Sequence, residues 1–221
     1  MNQNNEVLYF DSSLTNDDAL TNDAITVEDK KGNSFVSKIK NIIDTFLPAI
    51  IVSIIVYLVF QFVLLNGTVP SGSMESTILT GNLILTNRLA YINDDPITGD
   101  IIVFWSDEHN KLLVKRVIGV AGDVIELKGG KVYINGAEVY ESYIQGETWS
   151  ASIQDERFEV PEGKLFVMGD NRENSGDSRF FKNHFIDVDS VEGKVFLHYS
   201  LGGDDGVYAE IIHSEAPIVV K

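Results

Sequence analysis

The stretch "LLVKRVIGVAGDVIEL", residues 112–127, decides how the rest of the chain is read. Its β-branched and apolar residues form two runs on either side of Ala121-Gly122-Asp123, with no 3.6-residue repeat that would mark a helix. Two strands joined by a turn follow. The first strand carries an oddity. Alternation puts Lys115 on one face with Leu113 and Val117, while Leu112, Val114, Arg116 and Ile118 face the other way. A lysine with apolar neighbours on a core-like strand is unusual. A charged guard on an edge strand is the plainer alternative, and the strand by itself leaves both open.

Working outward, the same texture recurs. "NLILTNRLAYI" and "GDIIVFW" precede it, and "KVYINGAEVY" follows with an Asn-Gly pair, the strongest short hairpin signal. "ERFEVPEGKLFVMGD" supplies two strands across a Pro-Glu-Gly turn, and "GKVFLHYS" and "GVYAEIIH" end the series. No segment after residue 65 keeps a helical period for three turns. The expected fold is mainly β, a single antiparallel domain over residues 66–221, barrel-like or made of coiled sheets.

The N-terminal third differs. "TFLPAIIVSIIVYLVFQFVLL", residues 45–65, has no charged residue, and about 20 such residues cross the hydrocarbon core as a helix. Pro48 falls in its first turn, where a missing N–H costs little. The length and position favour an uncleaved anchor over a cleaved signal peptide. Lys30, Lys31, Lys38 and Lys40 precede the span, and no base follows it before Arg88. The positive-inside rule therefore predicts a cytoplasmic N-terminus and an extracytoplasmic domain. Residues 1–44 read as a cytoplasmic, acidic tail with a basic juxtamembrane end. Its Asn-, Asp- and Ser-rich part, with the loose repeat "LTNDDA…LTNDA", has too little apolar surface to order itself.

Composition narrows the chemistry. A formal net charge of -16 opposes nucleic-acid binding, which needs a basic surface. The chain has no cysteine, so disulfides, thiolate metal sites and a cysteine nucleophile are excluded. His109, His184, His198 and His213 are scattered and form no metal-ligand spacing, so no metal is expected.

Two further stretches matter beside Lys115. "VPSGSMESTI", residues 69–78, places two serines just beyond the span. A serine nucleophile needs a base, and no histidine here suggests one. A desolvated lysine can serve, because burial disfavours its charged form. "GDNRENSGDSRFF", residues 169–181, is a polar turn cluster, in which Ser175 could orient a neutral amine and Asp177 could pair with Arg179. Arg116 stays protonated, which suits an ion pair and not a base.

"PSGSMEST", "VKRVIGVAGD" and "GDNRENSGDSRFF", in this order after an N-terminal span, resemble the signature boxes of the type I (bacterial leader) signal peptidases, and "GNLILTNRLAY" resembles the box between the first two. The resemblance runs from Thr45 to about Val195. It implies a Ser–Lys dyad in which Ser73 is the nucleophile and Lys115 the general base. Ser71 matches the oxyanion-hole hydroxyl, acting with the backbone N–H of Ser73, and Ser175 matches the lysine-orienting serine. Arg116, Asp170, Asp177 and Arg179 match positions that brace the site. It further implies a membrane-anchored serine endopeptidase without metal or cofactor. Its substrates would be signal peptides of secretory preproteins, cut after small residues of the Ala-x-Ala type. Its setting would be the outer face of the cell membrane, with the lipid bilayer and the secretion translocon as surroundings.

Geometry suits this reading. Ser73 lies eight residues past Leu65, so an extended link reaches at most about 26–29 Å from the membrane. Two positions depart from the family pattern. Ser76 replaces a usual proline, which is expected to loosen the turn beyond Ser73, and Lys182 replaces a usual glycine, which disfavours a positive φ. A self-cleaving Ser–Lys repressor shares the dyad but needs an N-terminal DNA-binding helix-turn-helix, where this chain has an acidic tail and a span. Intact Ser73 and Lys115 weigh against a non-catalytic membrane-anchored assembly factor.

Overall fold

A computed structural model describes residues 17–144, 155–202, 206–213 and 218–219. The chain divides into two units, residues 1–56 and 57–221. The first contains most of helix α1, Asp17–Leu58. A π-helical turn, Val59–Val63, continues it, and the apolar stretch long enough to cross a membrane is Phe35–Val63. The helix therefore reaches back through residues 17–44, which composition assigns to a disordered tail. Extending an existing helix by one residue is far easier than nucleating one, which explains helix in a segment of weak propensity. Residues 1–16 of that tail lie outside the described residues. At the other end Leu64 and Leu65, expected within the span, start a strand.

Beyond the end of α1 and the π-helical turn, the second unit consists of strands and short 3₁₀ turns among its described residues. In chain order the strands are β1 (Leu64–Thr68), β2 (Leu83–Asn87), β3 (Ile101–Ser106), β4 (Lys111–Gly119), β5 (Val124–Lys128), β6 (Lys131–Ile134) and β7 (Ala137–Tyr140). They continue with β8 (Glu156–Glu159), β9 (Lys164–Met168), β10 (Ile186–Asp187), β11 (Val191–Leu201), β12 (Val207–Ile211) and β13 (Ile218–Val219). The larger sheet has the order β1-β2-β11-β3-β4-β9-β10, with β12 also on β11, and the smaller has the order β13-β7-β6-β5-β8. All pairings are antiparallel. The fold is thus mainly β and antiparallel, as two open sheets and not a closed barrel.

Local chemistry explains the hairpins, and burial explains the layering. Asn135 adopts a left-handed φ of 54° and Gly136 one of 81°, the pair of positive values that a two-residue turn between β6 and β7 requires. β8 and β9, consecutive across the Pro-Glu-Gly turn, belong to different sheets, β8 pairing with β5 and β9 with β4. The reason lies in β9, which is apolar on both faces. Phe166 and Met168 pack with Ile125, Leu127 and Phe158 of the smaller sheet, whereas Leu165 and Val167 pack with Ile102, Phe104 and Val117 of the larger. A strand buried on both sides reads as a continuous apolar run. β3 does the same, sending Ile101 and Val103 into a third cluster with Val69, Met74 and Ile78. Phe104 is therefore core, and Trp105 is exposed, with its indole N–H donating to Asp107.

Candidate active site

Ser73 sits in the 3₁₀ turn Gly72–Met74, between β1 and β2. Val69, Met74 and Ile78 insert into the core around it, so the turn is nailed down on both sides of the serine. Lys115 comes from the middle of β4, opposite Ile102 of β3. It is 3% exposed, so the buried lysine and not the edge guard describes it. Its Nζ lies 2.7 Å from Ser73 Oγ and donates to the Val114 carbonyl at 2.9 Å.

Burial lowers the Lys115 amine from its ordinary 10.5 to about 8. Asp177 and Asp170 oppose that shift, whereas Lys111 and Arg179 add to it by repulsion. An amine poised near 8 and in hydrogen-bonding reach of a hydroxyl can accept its proton near neutral pH.

The loop 169–181 packs against the Ser73 turn. Gly169 has no room for a side chain, because a Cβ there would collide with the Ser73 carbonyl oxygen and with Ser175 Oγ. Ser175 is thus beside the Ser73 turn, its hydroxyl buried and without a hydrogen-bond partner among the described residues. Arg116 Nε and Nη2 donate to the two carboxylate oxygens of Asp170 at 2.9 and 2.7 Å. Arg179 grips Asp177 in the same forked way at 2.7 and 2.8 Å, and Asp177 also accepts from the Gly169 N–H. Both pairs are buried and bidentate, which is the geometry in which buried charges hold register. Ser71 is exposed and precedes the 3₁₀ turn, lining a cavity together with Ser73 and Lys115.

That cavity, about 170 Å³, runs between the segments 65–71 and 111–115. Leu65, Val69, Ile84, Val103 and Val114 give it apolar walls. Both flanking strands offer a free edge toward it among the described residues. β1 pairs only with β2, and residues 111–115 of β4 pair only with β3.

Several supporting residues gave no warning in the sequence. Arg172 and Glu141 form a third buried pair, with Nη1 and Nη2 donating at 2.7 and 2.6 Å. Tyr143 donates to Glu141 at 2.6 Å, and its ring lies 3.8 Å below the Arg116 guanidinium. Glu141 and Tyr143 follow β7 in a stretch of ordinary polar appearance, so nothing local marks them. Asn171 and Arg172 do stand inside the loop motif, where they pass for turn residues. The Ser76 hydroxyl donates to the Tyr143 carbonyl at 3.0 Å and Thr77 donates to Asp170, so hydrogen bonds hold the turn where a proline was expected to be missed. Lys182 has no positive φ, since Asn110 and Asn135 are the non-glycine residues with one among the described residues. Its N–H instead donates to Glu108.

Residues 39–200 match the family model described as "Signal peptidase, peptidase S26". Signal peptidase I P of Bacillus subtilis subsp. natto is 36% identical over 169 residues, covering 72% of this chain and 91% of that protein. Signal peptidase IB of Staphylococcus aureus (strain COL) is 31% identical, over 72% of this chain and 90% of that one. A crystal structure of a signal peptidase I from Enterococcus faecalis V583 is 34% identical over 46% of this chain and 97% of its own, with a TM-score of 0.40. On these matches the chain belongs to the peptidase S26 signal peptidases, and it is a hydrolase of that family.

Proposed function

We propose that this signal peptidase is a membrane-anchored serine endopeptidase that cuts signal peptides from exported preproteins with a Ser73–Lys115 dyad. The observation that carries the reading is the 2.7 Å contact between a buried, pKa-lowered Lys115 amine and the Ser73 hydroxyl. The neutral amine accepts the Ser73 proton as Oγ bonds to the scissile carbonyl carbon, and the carbonyl's π pair moves to oxygen. The Ser73 N–H and the Ser71 hydroxyl stabilise that oxyanion. When the tetrahedral adduct collapses, the C–N bond breaks and the Lys115 ammonium gives its proton to the leaving amine. Water then attacks the acyl-enzyme, with Lys115 again the base. Ser175, a buried hydroxyl beside the Ser73 turn, makes no hydrogen bond to Lys115 in this structure and would orient the amine by turning to it during the reaction, and the pairs of Arg116 with Asp170 and Asp177 with Arg179 brace the loop.

The substrate reading rests on the cavity. An extended peptide can add between the free edges of β1 and β4, taking main-chain hydrogen bonds from each. The apolar walls of the cavity, Leu65, Val69, Ile84, Val103 and Val114, suit the uncharged side chains of an Ala-x-Ala site. Residues 1–44 would lie on the cytoplasmic side, the span within the cell membrane, and residues 66–221 outside. Ser73 is ten residues past Val63, so the dyad stands at most about 33–36 Å from the end of the apolar stretch. That is where a signal peptide leaving the bilayer or the secretion translocon presents its cleavage site.

The test uses the detergent-solubilised full chain with a preprotein carrying Ala-x-Ala. Wild type is expected to release the mature fragment, with Ser73→Ala and Lys115→Ala inactive. Equal cleavage by all three would overturn the dyad.

A further inference from the structure

We infer that Asn171 is a positioning residue that sets the direction of the oxyanion-binding N–H of Ser73. Two successive carbonyls, those of Gly72 and Ser73, accept hydrogen bonds from this one residue. Asn171 Nδ2 donates to the Gly72 carbonyl at 2.9 Å, and the Asn171 backbone N–H donates to the Ser73 carbonyl at 3.1 Å. One residue of the 169–181 loop thus holds both peptide planes that meet at the serine.

A trans peptide bond is planar, with its C=O and N–H pointing in opposite directions. The Gly72 carbonyl and the Ser73 N–H belong to the same plane. Pulling the carbonyl toward Asn171 therefore turns the Ser73 N–H away from the loop. The plane would otherwise be loosely held. Its carbonyl has one other bond, from the Glu75 N–H at 3.2 Å, and Gly72 is the residue type with the widest backbone freedom. The second plane is fixed from two sides, by the Asn171 N–H and by Gly169, whose missing Cβ lets the Ser73 carbonyl approach.

Asn171 is itself well anchored. Its neighbours Asp170 and Arg172 are both locked in buried ion pairs, and the Asn174 N–H donates to the Asn171 carbonyl at 3.1 Å. The amide therefore acts from a rigid base, which is what a positioning group requires. An amide is also needed chemically. An ionised carboxylate of the same shape has no donor to offer the Gly72 carbonyl.

This inference rests on the Ser73–Lys115 reading, and its test separates the two. Asn171→Asp and Asn171→Ala are compared with wild type and Ser73→Ala, as full chains in detergent, using a signal-sequence peptide substrate. Two inhibition constants are also measured, for a peptide aldehyde that forms a hemiacetal with Ser73 and for the matching unreactive peptide. Each Asn171 variant should lose about tenfold to a hundredfold in kcat, less than outright loss of an oxyanion donor, with KM within about threefold. Aldehyde affinity should fall by a similar factor while the unreactive peptide binds as before. The acid limb of the pH profile should stay in place in Asn171→Ala, which changes no charge near Lys115, whereas the new carboxylate of Asn171→Asp should move it to higher pH. The ratio of the two inhibition constants does not depend on how much of a preparation is folded, so a destabilised variant still reports. An unchanged ratio overturns the role of Asn171 and leaves the dyad standing. Wild-type activity in Ser73→Ala overturns the dyad, and this inference with it.

Discussion

The pH dependence of cleavage follows directly from the burial of Lys115. Lowering an amine from 10.5 to about 8 amounts to about 3 kcal/mol in favour of its neutral form. Desolvation is the main cause, and it outweighs the attraction of Asp177 and Asp170 for the ammonium. In the proposed dyad only the neutral amine can take the Ser73 proton, so activity is expected to rise with pH through the lowered value. About half the molecules are competent at pH 8, about a tenth at pH 7 and about a hundredth at pH 6. The assay is kcat/KM for a quenched signal-sequence peptide from pH 5.5 to 9.5, with the full chain in detergent. A tenfold fall per pH unit below 8 is expected. Lys111 repels the ammonium, so Lys111→Gln should move that limb to higher pH. A flat profile between pH 6 and 8, or a limb near 10.5, refutes the reasoning.

Other consequences are equally specific. Gly169→Ala drives a methyl into the Ser73 carbonyl and Ser175, and displacement of the turn should cost at least about 100-fold in kcat; a change below threefold would contradict the close packing. Glu141→Gln leaves the Arg172 guanidinium buried without its carboxylate, and urea unfolding should report about 3–5 kcal/mol of lost stability. Asn135→Ala keeps a Cβ at a left-handed φ but loses the bonds in which the Asn135 side chain accepts from the Val124 N–H and donates to Asp123, costing about 1–2 kcal/mol in the same assay, while Asn135→Gly should cost less because glycine carries a positive φ without strain. Equal losses in the two variants would assign the effect to the lost Asn135 side-chain bonds.

The legible parts of this protein are those whose physics is local. Solvent preference along one helix marks the apolar span, and the Asn135-Gly136 pair marks a hairpin because both residues accept a positive φ. β-branched runs announce strands for the same reason. The boxes around Ser73, Lys115 and residues 169–181 could be found because each is short and contiguous. What they do together could not be read from spacing, since Ser73 and Lys115 are 42 residues apart and meet through long-range packing, with Val69, Met74 and Ile78 against β3 and the 169–181 loop against the serine's turn.

Pairing across the fold was illegible for a related reason. The Pro-Glu-Gly turn announces two strands, but their sheets depend on which faces of β9 are buried, and both are. Glu141, Tyr143 and Arg172 look like solvated residues, because a charge in a polar stretch is ordinarily exposed. Only the tertiary structure brings the carboxylate to the guanidinium and removes water from both. Local chemistry along the chain is enough to mark the apolar span, the strands and the candidate nucleophile and base. Packing across the fold decides that the lysine is buried enough for its pKa to fall to about 8 and that Asn171 holds the serine's turn. Desolvation and long-range hydrogen bonds exist only once distant segments have packed.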